Sequence, residues 1–114
     1  MNTLELDRQL NSLIIDGKSA EAFQTFYHED VIAQENDEPE RHGRDPWMRG
    51  RQEFEKKITK FNARVLAHAA SGDVSFSEWE YDMDLAGMGP MRVVQVAVRR
   101  WRDGKVVRER FYHK

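Results

Sequence analysis

Chemistry in this 114-residue chain has to come from carboxylates, histidines and arginines, because the sequence contains no cysteine. That removes disulfides, thiol nucleophiles and thiolate metal sites together. Glu35 ends a short apolar run, Val31-Ile32-Ala33-Gln34-Glu35. A carboxylate on an apolar inner face beside Tyr27 and Trp79 suits a general base that shuttles a proton near neutral pH. The equal alternative is an ion pair with Arg41 or Arg44 of the following loop. Glu109 falls opposite Val98 and diagonal to Arg100, which reads first as a partly buried ion pair that orients a hairpin. The second reading has Arg100 holding a substrate oxyanion and Glu109 holding Arg100. His113 shares that face close to the C-terminus, where chains fray. It and His42 are candidate acid/base groups, but no second histidine stands at ligand spacing, so neither a metal nor a cofactor is expected. His28 and His68 have no partners in the sequence and are expected at the surface or at a strand edge.

The elements that must position these groups are legible from periodicity. Leu6, Leu10, Leu13 and Ile14 recur at helical spacing over residues 3 to 15, and Gly17 is placed to end that helix. Ser19 reads as the cap of a second helix with Ala22, Phe23, Phe26 and Tyr27 on one face. Val31 to Glu35 reads as a short strand. The polar stretch 36–44 reads as a loop, with Glu38, Arg41 and His42 a candidate lid at a cavity mouth. Asp45-Pro46 opens a third helix that runs to about Lys60, with Trp47, Phe54, Ile58 and the following Phe61 as its buried side. From residue 62 the period changes to two: strands over 63–70 and 74–85, then the hairpin 93–113.

That hairpin turns at Asp103-Gly104, the strongest short-range hairpin signal. A two-residue turn sets Arg102 against Lys105, Val98 against Glu109, Val96 against Phe111 and Val94 against His113. One face then carries Val94, Val96, Val98, Val107 and Phe111 with Arg100, Glu109 and His113 among them. The other carries Gln95, Arg99, Trp101, Arg108, Arg110 and Tyr112. A four-residue turn at 86–89 would put Tyr81 opposite Val94 and Trp79 opposite Val96, joining the aromatic face to the valine face. The expected architecture is α+β: three N-terminal helices packed on a curved antiparallel sheet, one domain over residues 1–114, with a conical cavity where the helices leave the sheet uncovered.

Composition narrows the function classes. Charged residues make up 33% and the net charge is -2, which gives no broad electrostatic reason to expect nucleic acid; Arg99, Arg108 and Arg110 carry only a weak alternative. No apolar run approaches membrane-spanning length and the first residues do not form a signal peptide, so a cytoplasmic protein without membrane contact is expected.

Several local patterns resemble one family. Phe26-Tyr27-His28-Glu29-Asp30-Val31, the loop Glu38-Pro39-Glu40-Arg41-His42-Gly43, and the closing hairpin from Trp101 to Tyr112 are similar, in order and spacing, to the SnoaL-like branch of the nuclear transport factor 2 (NTF2)-like superfamily. The resemblance implies an NTF2-like cone. It places Glu35 where ketosteroid isomerases carry their general-base aspartate, but Asn11 and Val96 where they carry their oxyanion partners, so steroid isomerisation is not expected. Where epoxide hydrolases of this fold carry charged groups, Trp79, Tyr81 and Phe111 stand, so that chemistry is not expected either. SnoaL-type cyclases use a pocket aspartate, a role that Glu35 or Glu109 would fill.

The resulting expectation is a small apolar or aromatic ligand in a pocket lined by Tyr27, Trp47, Phe54, Trp79, Tyr81, Val96, Arg100 and Phe111. Cofactor-free proton transfer, isomerase- or cyclase-like, would use Glu35, with Glu109 and His113 as further candidates. The alternative is a non-catalytic ligand-binding or dimerisation module. Homodimerisation is expected through the outer sheet face, where Phe76, Met91, Trp101 and Tyr112 are expected among charges.

Overall fold

The computed structural model describes residues 2–114. Helix α1 (Thr3–Ile15) starts where the Asn2 side chain accepts the Glu5 N–H at 2.9 Å, satisfying one otherwise orphaned donor. Its buried side holds Leu10 and Ile14, and also Asp7 and Asn11. Gly17, at φ 76°, turns the chain out of the helix. Helix α2 (Ser19–Phe26) buries Ala22, Phe23 and Phe26. Lys18, rather than Ser19, occupies its N-cap, and the Ser19 hydroxyl instead donates to Glu55 at 2.7 Å.

Strand β1 (Tyr27–Glu35) follows directly and is four residues longer at its start than the apolar run implied. The stretch read as a loop contains a short strand, β2 (Arg41–His42), paired antiparallel to β1 with Ile32 opposite His42 and Ala33 opposite Arg41. Helix α3 (Arg44–Glu55) is shorter than expected, because Ile58 already belongs to β3 (Ile58–Ser71). Strands β4 (Val74–Leu85), β5 (Gly89–Arg102) and β6 (Lys105–His113) complete the chain.

The six strands form one sheet in the order β2-β1-β6-β5-β4-β3. All neighbours are antiparallel except β1 and β6, which run parallel, with Glu35 beside Phe111. The core lies between the helices and the inner sheet face and includes Leu10, Phe23, Phe26, Val31, Trp79, Val106 and Phe111, all buried. Each large side chain fully withdrawn from water contributes roughly 1.5–3 kcal/mol, and these residues tie both ends of the chain into one unit. Among the described residues no helix is long and apolar enough to cross a membrane.

The registers on both sides of β5 differ from expectation by one residue. The Asp103-Gly104 turn does form, with φ 52° and 77°, and Arg102 does face Lys105. Beyond Trp101, which pairs with Val106, a β-bulge leaves Val107 as an extra residue, so Arg100 faces Arg108 and Arg99 faces Glu109. At the other edge Leu85 pairs with Gly89, so the turn has three residues and Tyr81 faces Val93. Both slips reverse β5 in the same sense. Arg99, Ala97 and Trp101 point inward and are buried, while Val94, Val96, Val98 and Arg100 lie on the outer face. Alternation along β4 is as read, with Trp79, Tyr81 and Met83 inside. Phe76 and Tyr112 are on the outer face, but Trp101 and Met91 are not: the indole of Trp101 donates to Ser75 at 2.9 Å inside the core.

Candidate functional site

Helix α3 stands off the sheet, and the space between them is an open cavity of about 690 Å3. Its apolar wall is aromatic: Trp47 and Phe54 from α3, Phe61 from β3, Tyr81 from β4 and Phe111 from β6. The Trp47 and Phe111 rings are stacked at 6.4 Å and 23°. Arg41 of β2 sits at the rim with its guanidinium 5.4 Å from the centre of the Trp47 ring, and Glu38 shares that rim. The connection between β1 and β2 is held as a hairpin: the Glu38 N–H donates to the Glu35 carbonyl at 2.9 Å, and the Gln34 side chain donates to the Glu38 carbonyl.

Two residues singled out separately in the sequence meet on this wall. The Glu35 carboxylate is 2.7 Å from Nε2 of His113, and both line the cavity, roughly one quarter exposed. Nδ1 of His113 is 3.0 Å from the Lys114 main-chain oxygen. That oxygen can only accept, so Nδ1 carries a proton, and the Glu35–Nε2 contact is bridged by one further proton. The hydrogen bond from Nδ1 to Lys114 and the Glu35 carboxylate both raise the His113 pKa above its ordinary 6.5. The pair's contribution to stability is therefore complete below that value and fades as pH rises through the higher folded value. Neither Arg41 nor Arg44 takes up Glu35: Arg41 lies over Trp47, and Arg44 pairs with Asp45 at 3.0 Å.

A second polar pair lies two strands away on the same floor. Gln95 is the register partner of His113 on β5, and its Nε2 donates to the Tyr81 hydroxyl at 3.4 Å. Burial raises the Tyr81 pKa, opposed by the positive charge of Arg51 on the facing helix.

Glu109 belongs to a different assembly, sealed behind this wall. It is 1% exposed, and its Oε2 accepts from Arg99 Nε at 2.6 Å and from the Tyr27 hydroxyl. The same guanidinium donates through one nitrogen to Asp7 at 2.8 Å and Asn11 at 2.6 Å. His68, 2.7 Å from the other Asp7 oxygen, closes the chain of contacts on β3. Burial would weaken the charged form of Arg99, but Tyr27, Glu109 and Asp7 outweigh it and hold its pKa well above the ordinary value. Burial and the charge of Glu109 push Tyr27 well above its own. The network ties α1 to β1, β3, β5 and β6 through hydrogen bonds and ion pairs centred on the buried Arg99.

Several sequence expectations therefore change. Arg99, expected outside, is the partner of Glu109; Arg100 is exposed and takes no part, because the bulge moved the register. Val96 leaves the pocket for the same reason. Tyr27 and Trp79 are fully enclosed rather than cavity-lining: Tyr27 spends its hydroxyl on Glu109, and Trp79 stacks on Tyr81 at 5.3 Å and 4° and donates to Ser77. His42 is exposed at the outer edge of the hairpin, away from the cavity wall. His68, expected to be isolated, contacts Asp7. Gln95 and Arg51 line the cavity without having been singled out, and Phe61, expected with α3, lines it from β3. Only a correct register on β5 would have revealed Gln95. Among the described residues no group of three or more His, Asp or Glu is arranged to hold a metal ion.

Comparison with known proteins fits this architecture. No curated protein matches the chain in sequence. A Mesorhizobium loti protein assigned as a SnoaL-like polyketide cyclase superposes with a TM-score of 0.82 at 19% identity, over 98% of this chain and 99% of that one. A Xanthomonas campestris protein of unknown function with a cystatin-like fold gives 0.85 at 20%, over 99% and 91%. A Catenulispora acidiphila protein with a ketosteroid isomerase-like fold, solved in complex with trimethylamine, gives 0.79 at 17%, over 97% and 86%. At these identities the likeness is one of fold. The SnoaL-like domain model matches residues 8–109, nearly the whole chain, and on that match the chain belongs to the SnoaL-like domain family.

Proposed function

We propose that the protein binds a small, largely apolar molecule in the α3–sheet cavity and moves a proton on it without a cofactor, in the manner of an isomerase or polyketide cyclase. The observation that carries this reading is the Glu35 carboxylate held by His113 on an aromatic wall open to solvent. A carboxylate in that setting can accept a proton from carbon, because the aromatic wall would seat an apolar substrate against it and the imidazole fixes the carboxylate's direction. Glu38 and Arg41 would act as a fixed rim rather than a mobile lid. The polyketide-cyclase assignment of the Mesorhizobium loti neighbour points the same way. A cytoplasmic setting goes with such a role.

The test is hydrogen exchange. Small cyclic ketones and conjugated enones incubated with the protein in D2O should lose their α-proton NMR signals faster than in buffer. Binding without exchange would favour the non-catalytic module, and neither binding nor exchange would sink the ligand-cavity reading.

The protein is further proposed to be a homodimer through the outer sheet face. Reversal of β5 turns Val94, Val96 and Val98 outward beside Phe76 and Tyr112, and three of these are 40% or more exposed (Phe76 40%, Tyr112 44%, Val94 48%). An apolar stripe at the centre of a sheet, flanked by Arg64–Glu80 and Arg92–Asp82 pairs, matches the core-and-rim pattern of an interface. Val96→Arg should convert a dimer to a monomer in sedimentation velocity; a wild-type monomer would refute the proposal.

A further inference from the structure

We propose that Arg51 anchors a carboxylate on the ligand, so that the α3–sheet cavity takes a ring-bearing organic acid carrying a single negative charge. This rests on the ligand-cavity reading but is independent of proton transfer. Trp47, Arg51 and Phe54 stand at i, i+4 and i+7 on one face of α3, and all three line the cavity. None of the described residues of α3 is fully buried, and Phe54 is 38% exposed. The helix therefore presents an aromatic face, with a cation at its centre, to open space.

Arg51 stands apart by what it lacks. Arg44, Arg92 and Arg108 each meet a carboxylate at 3.0 Å or less. The Arg51 guanidinium comes no nearer than 3.7 Å to Glu55, beyond hydrogen-bond distance, and no other described residue accepts from it. That carboxylate is engaged elsewhere, because the buried Ser19 hydroxyl donates to the same Oε2 at 2.7 Å. Burial raises the Tyr81 pKa and Arg51 is the first charge that opposes it, so the guanidinium faces the sheet side of the cavity. With its side chain 28% exposed, this planar fork of N–H donors is left for whatever enters the cavity to satisfy.

The rest of the lining selects the kind of anion. Glu35 is matched by His113, and Arg41 lies over Trp47, but Glu38 and Glu55 also border the space. A phosphate monoester would meet more repulsion there than one guanidinium offsets. A carboxylate brings one charge and two oxygens in a plane, the shape that a guanidinium pairs with through two parallel hydrogen bonds. Gly50 supplies room for the ring. It lies inside α3 next to Arg51 and lines the cavity, and a Cβ built there would meet no atom within 4 Å. Alanine would favour the helix, so folding does not call for glycine at this position.

The probes are 2-naphthoate and 2-naphthamide, which share an outline and differ in charge, titrated by calorimetry. Wild type should bind naphthoate about tenfold more tightly, with the advantage shrinking as salt is added. Arg51→Met, which keeps the helix and the apolar stem, should remove that tenfold while naphthamide changes less than about twofold. Arg51→Lys should restore part of it, since an ammonium supplies the charge without the fork. Glu55→Gln removes the neighbouring negative charge and should tighten naphthoate alone. Gly50→Leu should leave the protein folded, read from its melting temperature, and weaken both probes by filling the space beside Arg51. If Arg51→Met leaves naphthoate affinity unchanged, or weakens both probes alike, the anchor is wrong while the cavity reading stands. Tighter binding of 2-naphthyl phosphate than of naphthoate would overturn the carboxylate assignment, and unchanged affinities in Gly50→Leu would place the ligand elsewhere. If wild type binds neither probe, the proposal falls together with the ligand-cavity reading.

Discussion

Arg99→Met is expected to cost roughly 3–5 kcal/mol of folding stability, read as a shift in the urea unfolding midpoint at neutral pH. The substitution retains the length and apolar stem of the side chain, so little packing is lost. What it removes is the only cation among the fully buried described residues, leaving Asp7 and Glu109, 0% and 1% exposed, without a buried counter-charge. Glu109, Asp7 and Asn11 each lose a hydrogen bond at once, and the Oε1 of Glu109 is already without a partner. Glu109→Gln should cost less, since it removes a charge but preserves an acceptor for Tyr27. Arg99→Met/Glu109→Gln should then be less destabilised than the sum of the two singles.

The pH dependence has a definite sign. Burial alone would raise the Asp7 pKa, but Arg99 and hydrogen bonds from Arg99, Ser75 and His68 outweigh it and hold it below the usual 3.8. Asp7 thus contributes stability above 3.8 that is lost as pH falls through its lower folded value. In the Arg99→Met protein that contribution is gone, so the gap from wild type should be widest near neutrality and narrow in acid. A variant within about 1 kcal/mol of wild type at neutral pH would show that the network is not what holds α1 to the sheet.

This network shows where sequence reasoning reached and where it stopped. The alternation Trp79-x-Tyr81-x-Met83 fixes the inner face of β4 because one face is buried, and Asp103-Gly104 locates the last hairpin because few other dipeptides adopt that turn. Glu109 could be read as a buried ionic group from its neighbours. Its partner could not be, because Val107 enters the strand as a bulge and no residue type marks a bulge. Extending the register from the turn beyond that point moves every β5 side chain to the wrong face. Arg99 was thereby exchanged for Arg100, and Gln95 for Val96. The same local irregularity hid the outward valines and the place of Gln95 on the cavity wall. Glu35 and His113 escaped the error, since both lie on strands whose faces were read correctly. Their contact arises from the parallel β1–β6 pairing, which joins distant parts of the chain and leaves no local signature.

Glu35→Gln should lower the rate of proton exchange on a ketone substrate by roughly 10²- to 10⁴-fold, with ligand affinity changed far less. Glutamine is nearly isosteric and retains a contact to His113, so the cavity should stay intact; what is lost is the group that takes the proton. The pH profile separates a catalytic carboxylate from one that merely shapes the wall. While His113 is protonated, its Nε2–H is held on the Glu35 carboxylate at 2.7 Å and competes with the substrate proton for that oxygen. Deprotonation of His113, at a pKa above 6.5, leaves Glu35 without that cation. The rate should therefore rise with pH through the His113 titration. In His113→Asn the neutral side chain can still donate to Glu35 but does not titrate, so the rise should vanish while exchange persists. If the rise survives in His113→Asn, another group controls the proton. If Glu35→Gln retains exchange within about threefold of wild type, a change far below the general-base range, Glu35 is not the base, and the carboxylate–imidazole pair holds the end of β6 to β1 and nothing more.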